Sequence, residues 1–92
     1  MTAYFLSNEP DTTNFEFSIN SVHDEVHVYE RYSSSSQALL HMKAFGELFG
    51  SDFMALLTPV KVVAYGFPTD ELSTALSALS PVKMTSFQGF CR

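Results

Sequence analysis

Between Asn14 and Asn20 the chain alternates, with Phe15, Phe17 and Ile19 falling on one side and Glu16 and Ser18 on the other. A period of two with one polar face predicts a half-buried β-strand. Ser21 to Asp24 are largely polar and predict a reversal, and a second strand is expected from Glu25 to Tyr32. One face of it carries Val26, Val28, Glu30 and Tyr32; the other carries His27, Tyr29 and Arg31. Neither face is plainly a solvent face. Such a strand belongs between a helical layer and a further surface, for instance a partner's sheet.

After the serine run Ser33 to Ser36 the period changes. Leu39, Met42, Phe45, Leu48 and Phe49 recur at three- and four-residue spacing, which predicts an amphipathic helix over residues 35–50. Ser34 and Gln37 have the spacing of a capping box, in which hydroxyl and amide satisfy orphan backbone donors reciprocally. Gly46 weakens the helix and Gly50 is its expected C-cap. Residues 52–57 predict a further turn or two, stopped before Pro59. Val60 to Tyr65 is Val-rich and reads as a strand, and Gly66-Phe67-Pro68 as a break. Thr69 then caps a short helix with Asp70 and Glu71 in its first turn and Leu72, Ala75, Leu76 and Leu79 along its apolar stripe. Pro81 ends it, and residues 82–90 are expected to be extended. At the front, Ala3 to Ser7 read as a last helical turn or a frayed tail, followed by a turn at Asn8-Glu9-Pro10-Asp11. This order predicts a single α+β domain over residues 1–92, built on a mainly antiparallel sheet with two helices.

Composition narrows the functional classes. The chain has 92 residues, 46% of them hydrophobic, with nine Phe and four Tyr. That is more aromatic material than a small core needs, and it points to a pocket or a subunit interface. The net charge of −5 disfavours nucleic acid and anionic membrane surfaces, both of which call for Lys and Arg. No apolar run approaches a membrane span, and the first residues lack the features of a signal peptide. Cys91 is the single cysteine, which excludes an internal disulfide and fits a reducing cytoplasm. Nothing in the sequence supplies Cys91 with a base, so it reads as a structural or incidental thiol.

The order of residues 25–42 is the most distinctive feature: a strand ending in Glu30-Arg31-Tyr32, a serine cap, and a helix carrying His41. It resembles the antibiotic biosynthesis monooxygenase family of small dimeric α+β barrels. The resemblance implies a ferredoxin-like plan, βαββαβ, paired through its sheets into a homodimer. The hairpin at 14–32 would be its second and third strands, the helix at 35–50 its second helix, and Val60 to Tyr65 its fourth strand. Residues 67–90 resemble a C-terminal extension that reaches toward the partner. The first strand and most of the first helix have no counterpart, so an N-terminally shortened barrel is expected. Strain in the sheet, or replacement of the missing strand by the C-terminal strand or by a partner's strand, would then follow.

Enzymes of that family commonly oxidise quinol- or anthrone-like aromatics with O₂, often with no metal or flavin. The resemblance therefore implies a cofactor-independent monooxygenase-like protein acting on a small aromatic or quinol-type molecule. A haem-degrading branch uses a helix His with Asn and Trp nearby, and this chain has no Trp. The alternative is a non-catalytic dimeric barrel that binds a small hydrophobic ligand or serves as an assembly module. The candidate catalytic residues are Glu30, Tyr32 and His41. Each also has a structural reading: Glu30 as an ion-paired carboxylate, Tyr32 as packing, His41 as a boundary residue beside the helix stripe. Phe15, Phe17 and Phe45 are the candidate ligand contacts, although these rings, with Phe49 and Phe53, also serve as core. His27, Tyr29 and Arg31 are assigned to the dimer interface and His23 to a solvated turn. No metal is expected, because His23 and His27 lie on a turn and a strand with no Cys beside them. The scattered glycines make no phosphate loop, and no Ser sits on a nucleophile elbow.

Overall fold

Pro10 and the carboxylate before it divide the N-terminus of the chain into a helix and a strand, and the elements follow in a fixed order from there. A computed structural model describes residues 1–90. Helix α1 (Thr2–Asn8) leads into strand β1 (Thr12–Ile19), which pairs with β2 (Val26–Tyr32); helices α2 (Ser35–Leu48) and α3 (Gly50–Leu56) follow. Strand β3 (Val63–Tyr65), helix α4 (Asp70–Leu76), a 3₁₀ turn (Ser77–Leu79) and β4 (Val82–Met84) complete the fold. Cys91 lies outside the described residues.

The α+β class and the antiparallel hairpin are as the pattern predicts; the expectation of two helices is corrected to four α-helices among the described residues. Residues 2–8 form a helix rather than a frayed tail, anchored by Phe5, which is buried. Gly50 does not cap α2. That helix ends at Phe49, whose N–H donates to the Phe45 carbonyl at 2.9 Å, and Gly50 opens α3. Contact between the Phe45 and Phe53 rings, 5.1 Å apart, holds α3 beside α2.

The sheet is also divided. β1 and β2 form one antiparallel pair, while β3 and β4 form a second pair that is parallel. The parallel sense follows from α4, which crosses between its two strands as such a connection must. The two expected strands are shorter than predicted, three residues each.

The hairpin register places Phe15 opposite Glu30, Phe17 opposite Val28 and Ile19 opposite Val26. A bulge interrupts the ladder between Thr12 and Asn14, so that Thr12 stands opposite Tyr32. At the far end Asn20 ties the reversal together, its Oδ1 accepting the N–H groups of Asp24 and Glu25 at 3.1 and 3.0 Å. His23 takes the left-handed backbone conformation there (φ 59°) and is exposed, as a turn histidine should be.

Helix α2 lies over this hairpin. Its inward side chains are Gln37, Ala38 and His41, one position off the predicted stripe; Leu48, expected inside, is 51% exposed. The reason is polar satisfaction. The helix turns so that His41 and Gln37 meet their partners, and the apolar groups flank them.

Candidate functional site

The cap of α2 sets the site. Ser34 Oγ accepts the Gln37 N–H at 3.1 Å, half of the capping box. The other half is not made: the Gln37 amide instead donates to Thr12 Oγ1 at 3.2 Å, reaching across to β1. Thr12 is available because of the bulge, which brings it rather than Thr13 onto the face shared by Tyr32. Thr13 Oγ1 bonds the Arg31 carbonyl at 3.2 Å instead.

Thr12 Oγ1 donates in turn to Glu9 Oε1 at 2.9 Å. Glu9 closes α1, its N–H bonded to the Phe5 carbonyl at 2.9 Å, and its side chain points inward. There it meets His41, with Nδ1 at 2.7 Å from Glu9 Oε1. The opposite ring nitrogen, Nε2, lies 3.2 Å from Glu30 Oε1. Tyr32, beyond Glu30 on β2, packs its ring 5.4 Å from that of His41. The chain of contacts runs from buried Glu9 through buried His41 to Glu30, whose side chain is 34% exposed. Among the described residues no buried side-chain nitrogen or oxygen lacks a partner, so this network is complete.

Aromatic rings enclose the imidazole. Phe5 lies 4.3 Å from it, Phe15 5.4 Å and Phe45 6.2 Å. Burial works against the imidazolium, but the hydrogen bonds and charges of Glu30 and Glu9 outweigh it, and His41 binds its proton more tightly than an ordinary histidine. Tyr32 is pushed in the direction of a weaker acid by burial, then by the charge of Glu30 and a hydrogen bond to it, and by the charge of Glu9. It therefore stays protonated and can serve as a donor.

Three of the expected site residues, Glu30, Tyr32 and His41, are thus brought together, with Phe15 and Phe45 beside them. Phe17 is set apart. It is 41% exposed and lines an apolar groove of about 380 Å³ with Ser18, Ile19, Val26, Leu56 and Leu57. The register puts Phe17, Ile19 and Val26 on the same hairpin face as Glu30, with the groove toward the reversal end of the strands. Glu9, Thr12 and Gln37 were not expected in the site. No periodicity marks them, since each depends on a turn, a bulge or an unmade cap. Glu9 and Glu30 address opposite nitrogens of one ring and do not converge on a point. No group of three or more His, Cys, Asp or Glu that could hold a metal ion occurs among the described residues. No helix among them is long and apolar enough to cross a membrane.

No family model and no curated protein matches the chain. Among solved structures it is similar to the crystal structure of MupZ from Pseudomonas fluorescens, with a TM-score of 0.80 and 27% identity. The likeness covers 99% of this chain and 79% of that one. The α+β arrangement described above is shared with that protein over nearly its whole extent here.

Proposed function

We propose that the chain is a cofactor-independent, monooxygenase-like acid–base catalyst acting on a small aromatic or quinol-type molecule. The observation that carries the reading is His41 held between Glu9 and Glu30, with Tyr32 against Glu30 and phenylalanine rings around it. A substrate bearing a phenol or an activated methylene would place its acidic group at Glu30, the exposed side of the His41 contact. The Glu30–His41 pair takes the proton, and the imidazolium and the Tyr32 hydroxyl stabilise the anion. The anion then reduces O₂. For an anthrone-type methylene the balance is CH₂ + O₂ giving C=O + H₂O, with one oxygen atom retained and the other leaving as water. Kinship with the antibiotic biosynthesis monooxygenase family, a ferredoxin-like plan, a homodimer and a cytoplasmic site of action are parts of the same proposal.

One observation favours a second reading. The carboxylates bias His41 toward its protonated form, and a proton donor beside a carboxylate serves redox-neutral chemistry as well. Oxygen uptake with a panel of quinols, anthrones and naphthols separates the two. Uptake by the parent that is lost in Glu30→Gln, with circular dichroism unchanged, supports the oxygenase. Product formed without uptake moves the assignment to redox-neutral acid–base catalysis. No product from any substrate, with ligand binding intact, leaves the binding module.

A further inference from the structure

A histidine between two carboxylates can be wired in either direction, and which nitrogen exchanges protons decides where substrate must sit. The two sides of His41 differ. The Glu9 contact is shorter, 2.7 against 3.2 Å. Glu9 is 4% exposed in its side chain and Glu30 34%. Glu9 is also fixed from behind: its Oε1 accepts the Thr12 hydroxyl at 2.9 Å, and Thr12 accepts the Gln37 amide at 3.2 Å. Glu30 has the half-buried Tyr32 hydroxyl as its neighbour and faces outward.

We propose that Glu9 is a positioning residue that keeps Nδ1–H of His41 turned inward, so that Nε2, beside Glu30 and Tyr32, is the atom that exchanges protons with substrate. The Gln37–Thr12 relay sets the carboxylate of Glu9, and the bulge at Thr13 sets the relay. The inference deepens the acid–base reading and rests on it for its functional meaning. Its physical content stands on the geometry alone. When the imidazolium gives up a proton, the one shared with Glu9 is retained, because the bond is shorter and the surroundings exclude water. The one at Nε2 leaves toward the open side. Free imidazole side chains have no such bias toward Nδ1–H imposed on them. The groups facing the ring are Glu9 from α1, Glu30 and Tyr32 from β2, and the phenylalanines at 5, 15 and 45.

The test is long-range proton–nitrogen NMR of the ¹⁵N-labelled chain across pH, with His41 assigned by the loss of its signals in His41→Gln. In the parent the neutral ring is expected as the Nδ1–H tautomer. In Glu9→Gln the remaining charged acceptor is at Nε2, so the neutral ring should switch to Nε2–H and deprotonate at lower pH. Glu30→Gln should also deprotonate at lower pH, yet keep Nδ1–H. A Glu9 with a structural role alone would shift the unfolding midpoint and leave the tautomer in place, which would overturn the proposal. An Nε2–H ring in the parent would overturn it too, and that readout decides the matter if Glu9→Gln does not fold. Failure of catalysis is separate: a parent with no turnover and an Nδ1–H ring sinks the proposed function and supports this wiring.

Discussion

His41 Nδ1 and Glu9 Oε1 meet at 2.7 Å although the residues stand 32 positions apart, and both side chains are almost wholly shielded from water. His41 and Phe5 are the largest fully buried side chains among the described residues. The centre of this small protein is therefore a carboxylate–imidazole pair, an ion pair whenever the ring is protonated, wrapped in rings. Burying two charges is expensive, and such a pair contributes little net stability against apolar groups of the same volume. Breaking it is another matter, since the survivor is left charged and unpaired.

That asymmetry gives the first prediction. His41→Leu should cost about 3–5 kcal/mol, because Glu9 keeps only Thr12 as a partner in a dry site. Glu9→Leu combined with His41→Leu should recover most of the loss. Urea unfolding of the two variants and the parent measures both. A double variant no more stable than His41→Leu alone would show that Glu9 does not need its partner.

The second prediction concerns pH. His41 has its affinity for the proton raised in the folded chain, so folding is favoured when it is protonated. This contribution is fully present below the ordinary histidine value of about 6.5 and is lost as pH rises through the higher folded value. The urea midpoint should fall as pH climbs from neutrality through that window, and the slope there should disappear in the Glu9→Leu, His41→Leu double variant. A midpoint that is flat above neutrality and rises with pH only below about 6.5 would mean that burial, not the carboxylates, controls the ring.

Much of this centre was legible in the sequence and part was not, for identifiable reasons. Alternation placed Phe15, Phe17 and Ile19 on one face of β1 and Val26, Val28 and Glu30 on one face of β2, and the register sets these two groups opposite each other. Glu30, Tyr32 and His41 were readable as neighbours because a strand end and a helix start joined by a short cap must approach each other. Glu9 was not. It sits in a turn before Pro10, and only the return of α1 over the hairpin brings it inside. Thr12 was hidden by the bulge, since strict alternation gives that face to Thr13. The parallel β3–β4 pair was missed because short strands carry too little pattern to show their sense.

The bulge supplies the third prediction. Thr12→Val removes a hydroxyl that accepts from Gln37 and donates to Glu9, and it should cost about 1–3 kcal/mol by leaving buried polar groups short of a partner. Thr13→Val removes a hydroxyl exposed on the other side of the strand and should stay within about 0.5 kcal/mol of the parent. Adjacent threonines in one strand are thus expected to differ several-fold in their effect. Equal costs in chemical denaturation would mean that the bulge does not select between them.

The fourth prediction tests the proposed homodimer. Among the described residues the buried apolar set is Phe5, Ala38 and Leu72, which is little for a chain so rich in aromatics. The outer hairpin face offers Tyr29, 50% exposed, opposite Glu16, with His27 opposite Ser18 beside it. If two copies pair through this face, Tyr29→Asp should split them, since a charge placed there without a partner costs several kcal/mol when buried. Native mass spectrometry should then show single chains where the parent shows pairs. The same variant also sets two carboxylates across a strand pair, which destabilises the hairpin by itself. Repeating it in a Glu16→Gln background removes that repulsion, so dissociation that persists belongs to the interface. A pair indifferent to Tyr29→Asp in both backgrounds would place the contact on another face.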